Sequence, residues 1–223
     1  MSEYTWPDPP GRTAFPIAQP GYPLIGAAAF VTAVFALLGM KVPALAALVV
    51  TIFICWFFRD PDRLVPKQPD LVVSPADGKV IRVDTFQESD MYPGPGVKIS
   101  IFMSIFNVHV NRAPVDGKVV EVRYRPGRFF AASRDKAALQ NEHNAIYVED
   151  EANRKICFVQ IAGLVARRII CRVQPGDVLK RGQRIGMICF GSRLDVYLPP
   201  DFTARVEKGD KVLAGTSVLG AVR

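Results

Sequence analysis

The sequence predicts a mainly β protein, in which an antiparallel β domain of sandwich or barrel-like form follows an N-terminal helical hairpin. From Leu64 to the end of the chain, short β-rich runs alternate with turns rich in glycine, proline and aspartate, as in antiparallel sheets. A turn-and-strand motif occurs twice in that region, at residues 74–80 and 113–119. Two apolar runs precede it, at residues 23–40 and 42–58, and they predict the hairpin.

The composition narrows the class of partner. The chain has 223 residues and a net charge of +7, which fits nucleic acid, an anionic membrane surface or acidic ligands. The apolar N-terminal third favours the membrane, and the sequence has no nucleic-acid-binding motif, so no nucleic acid is expected. The cysteines are widely spaced and only two histidines are present, which predicts reduced, mostly buried thiols and no metal site. The cysteines are Cys55, Cys157, Cys171 and Cys189.

The N-terminal region predicts an irregular tail and then a membrane hairpin. Residues 1–21 are rich in proline, and residues 22–58 hold the two apolar runs, each just long enough as a helix for a hydrocarbon core of about 30 Å. Pro43 suits the first turn of the second helix. A spanning hairpin, a hairpin dipped into one leaflet and a buried soluble helix pair remain alternatives. The basic residues after the second run place the following domain on the cytoplasmic side of the plasma (inner) membrane. They are Arg59, Arg63 and Lys67.

A proline-containing linker at residues 59–72 leads to the β domain at residues 73–223. Its predicted strands are residues 79–83, 97–102, 118–124, 145–148, 155–161, 169–173, 184–190 and 194–198. One helix is predicted there, at residues 129–142.

The repeated motif reads Ser-Pro-Ala-Asp-Gly-Lys-Val at residues 74–80 and Ala-Pro-Val-Asp-Gly-Lys-Val at residues 113–119. Aspartate and glycine favour a turn, and the residues that follow favour a strand. A second pair of related segments occurs at residues 173–178 and 206–212. This pattern resembles the two half-repeats of biotinyl and lipoyl carrier domains. The modified lysine of those carriers is not evident, so the resemblance bears on architecture alone.

The Gly191–Ser192 pair lies between the last two predicted strands. A serine hydroxyl there can attack a bound substrate, or it can attack the carbonyl carbon of Gly191 itself. In the second case the amide rearranges to an ester, elimination leaves a dehydroalanine, and hydrolysis gives a pyruvoyl group. Such a group forms a Schiff base with an amine and withdraws electrons from the α-carbon. A plain hairpin turn is the alternative for this pair.

Self-cleavage needs a base near the serine, and imidazole titrates close to neutrality. By strand alternation, His109 shares a face with Ile105, Asn107 and Asn111, which makes one face mostly polar within an apolar segment. His109 is therefore the candidate base, with a solvated surface histidine as the alternative.

An orienting acid is the other requirement. Asp77 and Asp116 are the candidates, and both precede the glycine of the repeated turn. A plain turn role is the alternative for each aspartate, and it is favoured for Asp116.

Six segments, in this order and spacing, make the chain resemble the phosphatidylserine decarboxylases of the short bacterial type. The matching region runs from about residue 73 to 218. The segments are Ser-Pro-Ala-Asp-Gly at 74–78, Phe-Asn-Val-His-Val-Asn-Arg at 106–112, Tyr-Arg-Pro-Gly at 124–127, Asn-Glu at 141–142, Gln-Ile-Ala-Gly at 160–163 and Phe-Gly-Ser-Arg at 190–193.

The resemblance implies that the chain cuts itself between Gly191 and Ser192. The products would be a β chain of residues 1–191 and an α chain of residues 192–223 that stay associated, and Ser192 would become a covalent pyruvoyl cofactor. The resemblance also implies that Asp77 orients His109, which activates Ser192. Longer family members carry threonine where this chain has Arg193 and a second histidine in the strand of His109; His143 is interpreted as structural.

The resemblance further implies the reaction. Phosphatidylserine condenses with the pyruvoyl group as a Schiff base, carbon dioxide departs, and phosphatidylethanolamine is released, with His109 as the proton donor. The membrane bilayer is then a partner, and a homo-oligomer stays open. Arginines that are candidates for phosphate or anionic head groups, with solvated strand edges as the alternative, are Arg125, Arg128, Arg167 and Arg168.

Two other functions stay open at this point. One is a non-enzymatic, carrier-like adaptor module tethered by the hairpin, and the other is a pyruvoyl decarboxylase of a soluble amino acid. A small C-terminal fragment would exclude the adaptor. Turnover that survives removal of residues 1–58 would favour the soluble substrate.

Overall fold

The structure is a computed structural model that describes residues 4–5, 16–130, 140–164, 168–189 and 191–222. The chain forms two compact units. One comprises Met1–Pro10 and Arg63–Arg223, and the other comprises Gly11–Asp62.

The smaller unit is a helical hairpin. After a 3₁₀ turn at Gln19–Gly21, helix α1 covers Tyr22–Leu37 and helix α2 covers Lys41–Phe57. Gly39 lies in the turn between them with φ 71°, a left-handed conformation that glycine adopts without a steric penalty. The hydroxyls of Thr32 and Thr51 hydrogen-bond to each other across the two helices at 3.1 Å. Both predicted helices are present, and their ends differ from the predicted apolar runs by one to three residues.

The apolar side chains of the hairpin are mostly exposed. No residue of α1 is buried, and only Phe57 is buried in α2. Leu37 and Val42 are 87% and 80% exposed, which does not support the alternative of a buried soluble helix pair. By length and composition, Gln19–Leu37 is the one stretch of the described residues long enough to cross a membrane, and Lys41–Phe57 is shorter.

The larger unit is built from strands. Their bounds in the described residues are Tyr4–Thr5 (β1), Val65–Pro66 (β2), Leu71–Val73 (β3), Gly78–Phe86 (β4), Gly96–Met103 (β5), Val110–Arg112 (β6), Gly117–Arg125 (β7), His143–Glu149 (β8), Lys155–Ile161 (β9), Arg168–Cys171 (β10), Val178–Leu179 (β11), Arg184–Cys189 (β12), Ser192–Leu198 (β13), Phe202–Ala204 (β14), Lys211–Val212 (β15) and Val218–Val222 (β16). Every predicted strand has a counterpart, and β9 matches its prediction at both ends. The helix predicted at 129–142 falls largely on residues 131–139, which lie outside the described residues.

The strands form antiparallel sheets, which confirms the predicted fold class. The largest has the order β11-β7-β8-β9-β13-β5-β4-β15 and curls into a half-barrel. Two three-stranded sheets have the orders β10-β12-β6 and β14-β16-β3, and β1 pairs with β2. Strand β13 therefore lies at the centre of the large sheet, hydrogen-bonded to β9 on one side and to β5 on the other.

The repeated motif sets the symmetry of the large sheet. Strands β4 and β7 both begin at the motif glycine, and each pairs with a short edge strand, β15 or β11. A Cβ at Gly78 would lie 2.2 Å from the carbonyl oxygen of Phe102, and one at Gly117 would lie 2.6 Å from that of Glu149. Glycine is needed at both places because the neighbouring backbone approaches so closely. The two halves of the sheet correspond strand by strand, β11-β7-β8-β9 from one edge and β15-β4-β5-β13 from the other, in agreement with the predicted half-repeats.

The main apolar core packs against one face of the large sheet. Alternate residues of β13, Leu194, Val196 and Leu198, face this core. On the opposite face, Tyr197 joins a smaller apolar cluster that includes Cys157. The whole of β13 is buried, so both faces of this central strand are covered.

All four cysteines are free, as expected. Cys157 and Cys189 are buried, whereas Cys55 and Cys171 are half-buried. Burial raises the pKa of the Cys157 and Cys189 thiols, which keeps them protonated and unreactive.

Candidate active site

The six family-like segments meet at one end of the large sheet. Strand β13 begins at Ser192, which pairs with Met103 at the end of β5. Arg193 pairs with Ile161 at the end of β9, and in the same row β8 begins and β7 ends. Strand β4 also begins there, beside the end of β5. We call this the serine end of the sheet; its segments are residues 74–78, 104–112, 124–130, 140–143, 160–164 and 191–193.

Ser192 is fully buried at this end. Its hydroxyl donates to the sulfur of Met103, with Oγ and Sδ 3.3 Å apart. The residue before it, Gly191, has φ 60°, which places its carbonyl in a left-handed turn directly before the strand. A residue with a Cβ would be strained at that φ, which accounts for glycine at this position. Phe190, the first residue of the segment, lies outside the described residues.

A chain of buried amides leads to the same sulfur. Asn144 Nδ2 donates to Gln160 Oε1 at 3.1 Å, and Gln160 Nε2 donates to Asn111 Oδ1 at 2.9 Å. Asn111 Nδ2 then donates to Met103 Sδ at 3.7 Å. All these side chains are buried, so the bonds fix their orientations and polarise one another toward Ser192. An N–H donor thus lies beside the sulfur that the serine hydroxyl contacts.

None of these three amides was predicted from the sequence as a site residue. The sequence does contain a sign of Gln160, because this polar residue interrupts the apolar run of β9. Buried polar residues within an apolar strand require partners, and partners across several strands cannot be identified without the strand order.

His109 is fully buried just before β6. Its Nδ1 lies 2.9 Å from the carbonyl oxygen of Asn107, and its own carbonyl accepts from Ile188 N at 3.3 Å. Because a carbonyl only accepts, Nδ1 carries the hydrogen of the neutral ring and Nε2 is the basic nitrogen. Ser104 holds Asn107 in turn, since its N and Oγ both donate to Asn107 Oδ1 at 2.8 Å.

The strand alternation predicted around His109 is only partly present. Residues 105–107 form a turn, and the strand covers only Val110–Arg112. The turn is held by the Ser104–Asn107 bonds, which override the local strand preference. His109 is buried, so the alternative of a solvated surface histidine is wrong.

Asp77 and Asp116 occupy equivalent places in the repeat. Asp77 Oδ1 accepts from the backbone N–H of Ala214 at 2.8 Å, and Asp116 Oδ1 accepts from that of Arg181 at 3.1 Å. Both therefore hold the loop beside an edge strand, which is a structural role, although the loop is distant in sequence from the aspartate's own turn. The second oxygen of each also faces an arginine, at 2.8 Å from Arg63 Nη2 for Asp77 and at 3.9 Å from Arg181 Nε for Asp116. The Asp77 side chain is only 6% exposed, against 45% for Asp116.

Asp77 thus contacts Arg63 and Ala214 among its partners, and His109 contacts Asn107 and Ile188 among its own. Direct orientation of His109 by Asp77 stays a prediction.

The repeat supplies a matched test of Asp77. Asparagine keeps the oxygen that caps the turn but removes the negative charge by which Asp77 would orient His109, so Asp77→Asn should slow self-cleavage about 10- to 100-fold, the value of one charged hydrogen bond. Asp116→Asn, with the same turn role and an exposed side chain, should be cut at the normal rate. Cleavage is followed on denaturing gels, and melting temperatures check the fold. Equal cleavage rates in the two variants would restrict Asp77 to the turn.

A buried ion cluster lies on the opposite face of β13. Arg193 binds Asp195 through Nε and Nη2 and also donates to Ser100 Oγ at 3.1 Å. Lys98 Nζ lies 3.3 Å from Asp195. Buried charges require such pairing, and here the pairs join β13 to β5. The residue after Ser192 is thereby fixed through its side chain as well as its backbone.

The same cluster affects a neighbouring phenol. Burial raises the pKa of Tyr197, and the Asp195 carboxylate raises it further. Tyr197 is therefore protonated at physiological pH.

His143 is the second buried histidine, with Nδ1 2.8 Å from the carbonyl oxygen of Asn141. It pairs with Ile161, which pairs with Arg193, so these side chains share one face of the sheet. That face is opposite to Ser192, which agrees with a structural role for His143.

Three candidate arginines, Arg125, Arg128 and Arg168, are exposed at or next to the serine end. Arg167 lies outside the described residues. Among the residues described, no three histidine, cysteine, aspartate or glutamate side chains come together as metal ligands.

The residues around position 192 fit a pyruvoyl group. Such a group carries a methyl where serine has its hydroxymethyl, and the methyl would meet the sulfur of Met103, a contact that needs no hydrogen bond. The neighbouring residues of β13 stay anchored by Arg193 and Leu194 on opposite faces.

Comparison with known proteins agrees with this geometry. A family model described as "Phosphatidylserine decarboxylase" matches residues 50–220. A protein of Syntrophus aciditrophicus is 52% identical over 206 residues, which is 92% of this chain and 96% of that protein. Proteins of Geotalea uraniireducens and Desulfotalea psychrophila are 51% and 47% identical over 205 and 207 residues, covering 92% and 93% of this chain and 96% and 97% of their own. All three are named phosphatidylserine decarboxylase proenzyme.

Proposed function

The chain belongs to the phosphatidylserine decarboxylase family, and on this basis we propose that it is a self-cleaving decarboxylase that acts through a pyruvoyl group made from Ser192. It removes the carboxylate of phosphatidylserine as carbon dioxide and gives phosphatidylethanolamine. We propose cleavage between Gly191 and Ser192, into a β chain of residues 1–191 and an α chain of residues 192–223.

One observation carries the proposal. Ser192 is fully buried, follows a glycine in a left-handed turn, and lies where all six family-like segments meet. A serine in a plain surface turn would be exposed. The buried position excludes bulk water, so the hydroxyl competes with little water for the carbonyl carbon of Gly191.

The cleavage can be written with this chain's own atoms. His109 takes the hydroxyl proton as Ser192 Oγ adds to the Gly191 carbonyl carbon, and the C–N bond breaks as the nitrogen is protonated, leaving an ester. Loss of the α-proton of Ser192 then breaks the Cβ–O bond and releases the Gly191 carboxylate. Water hydrolyses the resulting dehydroalanine, ammonia departs, and the keto group remains.

The amide chain supports the first step. Charge develops on the Gly191 carbonyl oxygen as the serine adds, and fixed N–H donors stabilise such charge. Asn111 supplies a donor held in place by Gln160 and, beyond it, by Asn144. We assign Asn111 to stabilising this charge, and Gln160 and Asn144 to positioning Asn111.

The pyruvoyl group supplies the electron-withdrawing carbonyl that decarboxylation requires. In turnover, His109 holds the proton that is returned to the α-carbon of the substrate. The exposed arginines at the serine end suit the phosphate of the lipid.

The hairpin at residues 22–58 gives the enzyme access to its substrate. Its exposed apolar side chains suit a bilayer, and Arg59, Arg63 and Lys67 favour a cytoplasmic β domain at the inner membrane. A two-tailed substrate would then lie in the same membrane.

Neither of the two alternatives is favoured. The relatives are named as decarboxylases of a phospholipid, whereas a carrier-like adaptor would need neither a buried serine nor the six convergent segments.

The test uses the full-length chain, purified and added to vesicles that contain phosphatidylserine. We expect two fragments by intact mass, with a keto group on the smaller one, and conversion of phosphatidylserine to phosphatidylethanolamine with release of carbon dioxide. Free serine and phosphoserine serve as control substrates and should not react. An unbroken chain without conversion would support the adaptor, and turnover of a control substrate would support the soluble amino acid.

A further inference from the structure

The serine end carries exposed apolar side chains from separate loops. Phe106, after β5, is 65% exposed, and Leu164, after β9, is 63% exposed. Tyr124, at the end of β7, is 57% exposed. The β5 and β9 loops flank the start of β13, so Phe106 and Leu164 lie on either side of Ser192, and Tyr124 lies further along the same end of the sheet. Exposed apolar side chains grouped in this way mark interaction surfaces.

Exposed arginines lie among these apolar side chains. Arg125 and Arg128 follow Tyr124, and Arg168 begins β10 four residues after Leu164. Within the six described segments of this end, the acidic residues are the half-buried Glu142 and the buried Asp77. We call Phe106, Leu164, Tyr124 and the three arginines the rim.

The opposite end of the same sheet has the opposite charge. It is formed by the β4–β5 loop, the β8–β9 loop and the residues after β13. Exposed acidic residues there are Glu88, Asp90, Glu151 and Asp201. Two exposed lysines, Lys155 and Lys118, lie in the same row, and Arg154 is paired with Asp70 and Asp150, so acidic side chains remain in excess there. An anionic surface would therefore attract the rim and repel the far end.

We propose that the rim docks on the surface of an anionic lipid bilayer, so that the β domain itself, and not only the helical hairpin, contacts the membrane. Phe106 and Leu164 would enter the interfacial layer, Tyr124 would lie at head-group depth, and the arginines would meet lipid phosphates. Arginines near an anionic surface are attracted to it electrostatically. Because the rim is basic and the far end is acidic, the charge distribution favours an anionic bilayer over a neutral apolar partner.

This inference rests on the proposed function, because the substrate explains why the rim would lie at the same end as the serine. A lipid head group must reach a fully buried residue while its acyl chains stay in an apolar medium. Contact of the rim with the bilayer shortens that path, since the head group then moves only through protein between the membrane surface and position 192.

The kinetic test uses full-length Phe106→Ser/Leu164→Ser, with Val178→Ser as the matched control. Val178 is 68% exposed and lies on β11, at an edge of the sheet and away from the serine end. We expect the double variant to be cut normally and to show a KM for vesicle phosphatidylserine raised about tenfold, which is about 1.4 kcal/mol. Turnover of a short-chain phosphatidylserine dissolved as monomers should be unchanged. Val178→Ser should match the wild type on both substrates.

A second measurement does not depend on any variant. Hydrogen exchange of the wild-type chain should slow at residues 104–107 and 163–164 in nanodiscs with anionic lipid, relative to neutral lipid, and stay constant at residues 176–179. A normal KM together with unchanged exchange would overturn the proposal. So would protection that rises with protein concentration without lipid, because the rim would then join two copies of the chain. If the wild type converts neither form of phosphatidylserine, the proposed function fails instead.

Discussion

Replacement of Ser192 with alanine is expected to leave the chain uncut and to abolish decarboxylation. The hydroxyl is the nucleophile for the Gly191–Ser192 bond, and no group replaces it, since the side chain is fully buried against Met103. Alanine fills nearly the same space, so the fold should persist. Denaturing gels and intact mass measure cleavage, and release of carbon dioxide from phosphatidylserine measures activity.

Two further variants test whether the effect is specific to a nucleophile at position 192. Ser192→Cys retains a nucleophile of similar shape and should be cut slowly, because thiols also undergo acyl transfer. Ser89→Ala removes a hydroxyl at the far end of the sheet, where Oγ accepts from Met91 N, and should be cut normally. If the alanine variant at position 192 retained full activity on an unbroken chain, the pyruvoyl proposal would be wrong.

Replacement of His109 with glutamine is expected to cause the second largest effect. The ring is fully buried, and its Nδ1 contact with Asn107 leaves Nε2 as the basic nitrogen. Loss of a general acid or base costs about 10²- to 10⁴-fold in rate. Cleavage is measured as the half-life of the precursor, and turnover is measured per cleaved molecule, so the two roles of His109 are separated.

His143→Gln is the matched control for that experiment. His143 is also buried and makes the same kind of contact, from Nδ1 to the carbonyl oxygen two residues earlier. It lies on the face of the sheet opposite to Ser192. A purely structural contribution of a buried histidine should therefore appear in both variants, and a chemical one only in His109→Gln. Normal cleavage and normal turnover in His109→Gln would remove this residue from the mechanism.

The strands of the β domain were predictable because their signal is local. Alternating β-rich residues bounded by glycine, proline and aspartate located β9 at both ends, and the repeated motif predicted that β4 and β7 begin alike. Strand order is not local. Nothing near Ser192 in the sequence indicates that β13 lies between β5 and β9.

In the candidate site, too, the residues with a local sequence signal were predictable, and those brought together by the strand order were not. Ser192, His109 and Asp77 came from short motifs, whereas the amide chain joins residues as far apart as Asn111 and Gln160. The Arg193–Asp195 pair was within reach, because residues two apart in a strand share a face. The turn at residues 105–107 was missed because a side-chain bond from Asn107 decides it.

The central position of β13 has a consequence for the mature molecule. The proposed α chain would contribute β13 to the middle of the large sheet, β15 to its edge, and both β14 and β16 to a sheet completed by β3 of the β chain. The strands of the two chains would alternate within the same sheets, so heat could separate the chains only by unfolding the β domain. Once separated, they would have to find each other by diffusion, without the covalent connection that guided the precursor. Thermal denaturation should accordingly be reversible for the uncut precursor and irreversible for the cleaved enzyme. The lifetime of the cleaved enzyme at a given temperature would then be set by its unfolding rate.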